Sequence, residues 1–208
     1  MRAKKQVAKS QKQKKGAAAP PRRAKLWPLK DSSALLFSGK KVKVPADFST
    51  VLFEDFAATD NDQVERMGML FGKTVGGATA VHVCVIPEHE ASATWCQVTE
   101  DGTTKLCAQA RDLEKRGLRM VGWAHSHHTM FAPTPSVADI AAAKSMGEEG
   151  EIMIILAREA GQLHTVAWRL LADNADSEDP LRSVEMLATE QCAGSLELIA
   201  LGDTVIRM

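Results

Sequence analysis

Residues 124–139, AHSHHTMFAPTPSVAD, concentrate side chains able to hold a metal ion. His125 and His127 are two apart, and in a strand residues two apart point to one side, about 6–7 Å apart along the chain. Two imidazoles can therefore converge on one cation while Ser126 faces away. Nitrogen donors suit Zn²⁺ at about 2.0–2.1 Å. A lone H-x-H is also compatible with ordinary polar histidines. Ser136 and Asp139 carry two readings. As N-cap and third helical residue they make a capping arrangement at a helix entrance. Alternatively, the loop before them swings the first helical turn back beside the strand end, and Asp139 becomes a third ligand. Three protein ligands leave the fourth position for water, the pattern of a catalytic zinc site. His128 falls on the opposite face of the strand and reads as structural or substrate-facing.

The elements that must position these groups are legible in the patterning. LRMVGWAHSH is a buried strand running into polar residues, and SVADIAAAKSM begins a helix after FAPTP. Upstream, KKVKVPADF suggests a short strand ending at Pro45. ADFSTVLFEDFAA suits an amphipathic helix turning Phe48, Val51, Leu52 and Phe56 inward. DNDQ supplies turn or capping residues. VERMGMLFGKTV and ATAVHVCVIP, separated by Gly76 and Gly77, predict a hairpin. EHEASATWCQVTEDG reads as a loop, and TTKLCAQARDLEKRG as a helix closed by Gly117. EIMIILA and GQLHTVAWRL predict a second hairpin, DNADSEDP an acidic connector, LRSVEMLATEQCA a helix, and LELIALGDTVIRM a closing strand. The expectation is an α/β class, α+β mixed sheet flanked by helices, in one domain spanning 35–208.

The 26 basic and 26 acidic residues cancel, but unevenly. Eleven bases and no acid lie in residues 1–30, so the remainder carries a net −11. Residues 1–34 read as a basic, solvated tail. Its lysine clusters suit a nuclear-import or nucleic-acid contact. An apolar signal core and any run of 18 apolar residues are absent, so neither a secretory leader nor a membrane span is expected. The four cysteines have no C-x-x-C spacing, against a zinc ribbon or a disulfide framework. A cytoplasmic or nuclear setting is expected.

H-x-H followed by a short loop and S-x-x-D resembles the signature of the JAMM (MPN-plus) zinc metalloproteases. In that family an early strand carries a glutamate within an E-x-x-G-x-x-x-G-like segment; here VERMGMLFGK supplies Glu65, Gly68 and Gly72. The resemblance covers about residues 41–170 and implies an MPN/JAMM, cytidine-deaminase-like fold. It further implies that His125, His127 and Asp139 hold one catalytic zinc ion, that Glu65 is the general base, and that Ser136 helps stabilise the oxyanion. VHVCVIPEHEASATWCQVTEDG and MGMLFGK are similar to AMSH-type deubiquitinases, implying ubiquitin or a ubiquitin-like protein as partner and an isopeptide bond to lysine as substrate.

Two departures stand out. His128 occupies the place of the family's usual proline, and eight residues, 128–135, lie between His127 and Ser136. The AMSH branch also binds a second, structural zinc through histidines after the aspartate, where this chain has alanines in DIAAAKSM; that second site is not expected here. In the implied mechanism zinc lowers the pKa of a water toward about 7, Glu65 moves the proton, and the loops 87–101 and 128–135 wall the substrate. Glu88, Glu90, Glu100 and Asp101 either meet a basic partner surface or form an ordinary solvated loop. Competing readings are a metallopeptidase acting on a non-ubiquitin or sulfur-carrier-like conjugate, a catalytically silent MPN scaffold, and a nucleic-acid binder resting on the tail.

Overall fold

The computed structural model describes residues 41–57, 64–127, 133–159, 162–170, 181–184, 186–188, 195–202 and 204–206. The basic tail, the DNDQ turn, His128, the acidic connector and Cys192 lie outside these. The elements run β1 (Val42–Val44), α1 (Phe48–Ala57), β2 (Met67–Val75), β3 (Ala78–Ile86), β4 (His89–Ser92), β5 (Trp95–Val98), α2 (Glu100–Lys115), β6 (Arg119–Ser126), α3 (Val137–Met146), β7 (Ile152–Glu159), β8 (Gln162–Leu170), β9 (Leu181–Val184), β10 (Met186–Ala188), β11 (Glu197–Ala200) and β12 (Thr204–Ile206). This is the expected mixed α/β domain.

The main sheet runs β10-β1-β3-β2-β6-β7-β8-β9, with β11 also on β3; β12, β4 and β5 form a second sheet. Hairpins β2–β3 and β7–β8 are antiparallel, whereas β6 and β7 pair in parallel. The sheet is strongly curved. Only residue 185 separates β9 from β10, which sit at opposite ends of the strand order. Arg169 of β8 also donates from Nη2 to Thr79 Oγ1 of β3 at 3.1 Å. Those strands are four apart in the order, about 19 Å in a flat sheet. Closing that distance requires the sheet to wrap round.

Curvature separates two faces. The concave face receives α1, whose Phe48, Leu52 and Phe56 pack with Val42, Leu70, Val81, Ile154 and Leu156. Burying each such large side chain contributes about 1.5–3 kcal/mol. On the convex face α2 covers Phe71, Val83 and Val85 through Leu113, and α3 covers Met153 and Ile155 through Ala143 and Ile140. Thr99 caps α2 by accepting from Gly102 N–H, and Gly117 (φ +74°) ends it in the left-handed conformation that glycine adopts without strain. No helix among the described residues is long and apolar enough to cross a membrane.

Three expectations are corrected. Residues 87–101 are not a plain loop: His89↔Val98 and Ser92↔Trp95 pair in a hairpin. Their polar side chains hid the strands, which the parallel pairing with β12 extends into a small sheet. Within LRSVEMLATEQCA, expected to be a helix, residues 181–184 and 186–188 are strands, because β9 adds to β8 and β10 to β1; pairing with distant strands overrides a locally ambiguous pattern. The closing strand is two strands, one in each sheet.

Candidate metal centre

Strand β6 reaches the site through a change of phase. Val121 faces the concave core, and simple alternation would put residues 123, 125 and 127 there as well. Instead Leu70 pairs with Gly122 and Phe71 with Met120, leaving Val121 as an extra residue in a bulge. After it Ala124 faces the concave core and Trp123 the convex one, beside α3. His125 and His127 follow Trp123 in alternation. Gly122 makes this possible: its φ is +143°, and a Cβ there would stand 1.8 Å from Ile152 O on β7.

The three predicted ligands converge. His125 Nε2 lies 3.1 Å from Asp139 Oδ1, and His127 Nε2 lies 3.2 Å from Asp139 Oδ2. The two Nε2 atoms are 3.1 Å apart. Donors about 2.0–2.1 Å from a tetrahedral zinc stand roughly 3.3–3.4 Å from one another, so the spacing and the donor types fit that ion. Among the described residues this is the one such His/Cys/Asp/Glu group. His127 lies just beyond β6, tied by its N–H to Leu156 O at 2.7 Å. Both imidazoles are buried.

Ser136 and Asp139 realise both readings of S-x-x-D together. Asp139 N–H donates to Ser136 Oγ at 3.1 Å, and Ser136 N–H donates to Asp139 Oδ2 at 2.6 Å, a complete capping box. The cap holds the same carboxylate that faces the imidazoles. Burial alone would raise the Asp139 pKa; the charge of His125 and the hydrogen bonds from His125, His127 and Ser136 outweigh it and hold the carboxyl well below the usual range. Accepting one bond leaves the Ser136 hydroxyl proton available for donation.

Glu65 lies two residues before β2 rather than within it. Its N–H donates to Ser92 O of β4 at 2.8 Å, and the next residues pair with the end of β6. Burial pushes its carboxyl up to about 8, against the lowering effect of His127 and with a further rise from Asp139. The register, with Met67 opposite His125 and Arg66 bonded to Ser126, brings Glu65 to the strand end that carries His127. The second sheet borders the site through that bond from Glu65 N–H to Ser92 O of β4. Burial pushes up the thiol of Cys96 on β5, not singled out by the sequence pattern, and the charges of Glu65 and Asp139 add to the rise. Trp95 and Val137, next to Cys96 and Ser136, are exposed apolar side chains.

No curated protein matches the chain. A protein from Desulfitobacterium hafniense with a solution structure is similar, at 18% identity and a TM-score of 0.49, covering 70% of this chain and 91% of that one. The profile described as prokaryotic homologs of the JAB domain matches residues 56–171, a span that contains Glu65, His125, His127, Ser136 and Asp139. The chain belongs to this family of prokaryotic JAB-domain homologs.

Proposed function

We propose that the protein is a zinc-dependent metallo-isopeptidase. His125, His127 and Asp139 would hold the ion. The observation that carries this reading is their convergence, with Glu65 brought to the same strand end by the register of β2 on β6. Zinc, when bound, supplies Lewis acidity and makes water a usable nucleophile near neutral pH. Glu65 takes the proton of the attacking water and delivers it to the departing amine. Ser136 Oγ donates to the oxygen that gains negative charge at the carbonyl. No thiol attacks, so alkylation spares turnover.

The substrate we propose is the C-terminal tail of a ubiquitin-like protein joined to a lysine amine. The AMSH-like stretch over 81–102 supports a tail of that kind, and the prokaryotic character of the family supports a ubiquitin-like or sulfur-carrier-like protein over ubiquitin itself. The test incubates the zinc-loaded chain with linked diubiquitins and with isopeptide conjugates of ubiquitin-like and sulfur-carrier-like proteins. Cleavage that a chelator abolishes and a thiol alkylator does not is expected. Absence of cleavage across the panel, or cleavage indifferent to chelation, contradicts the reading.

A further inference from the structure

Ser126, between the two histidines, faces away from them and toward the segment that bears Glu65. In an antiparallel pair, directly opposed residues of one type exchange both backbone hydrogen bonds. Ser126 and Arg66 make one of these in the regular way, Ser126 N–H to Arg66 O at 2.8 Å. The other is replaced: Arg66 N–H donates to Ser126 Oγ at 2.9 Å. A side-chain hydroxyl thus closes the last rung of the β2–β6 ladder. On the other edge of the strand, His127 N–H donates to Leu156 O of β7.

The Arg66 N–H belongs to the Glu65–Arg66 peptide. Fixing that peptide plane fixes the ψ angle of Glu65, while the bond from Glu65 N–H to Ser92 O fixes the other side of the same residue. We propose that Ser126 is a positioning residue for Glu65: its hydroxyl clamps the Glu65–Arg66 peptide and so aims the carboxyl at the site formed by His125, His127 and Asp139. This rests on the role given to Glu65 above. One strand end then carries both the ligand pair, on its convex side, and the clamp for the proton carrier, on the other. Misplacing a reacting group by about 1 Å costs on the order of 10²-fold in rate.

The test compares the full-length wild type with Ser126→Ala and Ser126→Thr, each loaded with zinc. Ser126→Ala is expected to keep one zinc per chain, keep KM within about twofold, lower kcat by about 10- to 100-fold, and speed hydrogen exchange at the Arg66 amide. Ser126→Thr, which retains a hydroxyl at the same place, is expected to restore both. A kcat within twofold of wild type in Ser126→Ala, an unchanged Arg66 exchange rate, or loss of zinc along with activity overturns the proposal. If wild type cleaves nothing, the hydrolase reading fails, and the ¹³C signal of the Glu65 carboxyl decides on the clamp. Its response to added zinc must then differ between wild type and Ser126→Ala and return in Ser126→Thr; an identical response in all three overturns the clamp.

Discussion

His125 and His127 bring their Nε2 atoms to 3.1 Å of each other while Asp139 spans both, Oδ1 to the first and Oδ2 to the second. A neutral imidazole presents one N–H and one bare nitrogen, so an ion facing both bare nitrogens and the carboxylate satisfies all three groups at once. His125→Ala is accordingly expected to lower zinc affinity by at least two orders of magnitude while leaving the fold intact, as read by isothermal titration with zinc and by circular dichroism. Unchanged affinity would contradict the assignment.

Glu65→Gln replaces a proton-carrying group by an isostere that cannot carry one. The expected outcome is retained zinc, retained fold and hydrolysis reduced at least about 10²-fold, checked by turnover beside metal content. Full activity in the purified variant would defeat the role given to Glu65.

The same carboxyl makes the metal-free protein pH-sensitive. Its folded pKa is about 8, above the unfolded value, so the folded state holds the proton more tightly. Below the unfolded pKa the acid is neutral in both states and its burial carries no charge penalty. As pH climbs from there toward 8 the unfolded chain ionises first and stability falls, by an upper limit on the order of 5 kcal/mol. Urea denaturation of the metal-free chain at pH 5 and pH 8 should show this loss, and Glu65→Gln should flatten it. Equal slopes in the two proteins would remove Glu65 as the cause.

Ser136→Ala deletes an N-cap and a donor together. Loss of the cap is expected to cost about 1 kcal/mol, visible as a lower denaturation midpoint. Loss of the donor is expected to cut kcat by about 10²–10³-fold. A midpoint shift with unchanged kcat would leave Ser136 as a cap alone.

Gly122→Ala puts a Cβ 1.8 Å from Ile152 O at a φ of +143°. Relief requires separating β6 from β7, so a destabilisation of several kcal/mol is expected, together with loss of zinc binding. A stable, zinc-binding Gly122→Ala protein would show that the bulge is not what sets the histidines' face.

Much of this was legible in the residues. H-x-H and S-x-x-D each occupy contiguous chain, so a strand end and a helix start announce them, and the structure brings these residues together as the pattern suggests. Hairpins β2–β3 and β7–β8 follow from apolar runs flanking short turns. What escaped is non-local. Residues 89–92 and 95–98 become strands through cross-strand pairing rather than composition, and 181–184 and 186–188 become strands because two sheet edges need partners. The phase change at Val121 had one local sign, a glycine inside a strand, but only the register with β2 reveals its consequence. Ser126 was legible as facing away from the metal ligands; its partner, 60 residues back in the chain, was not.

The most direct measurement is zinc stoichiometry by elemental analysis of the purified, zinc-loaded chain and of Asp139→Ala. One zinc per wild-type chain and almost none in the variant is the predicted result. Equal zinc in both proteins, or none in the wild type, would contradict the metal centre on which the rest is built.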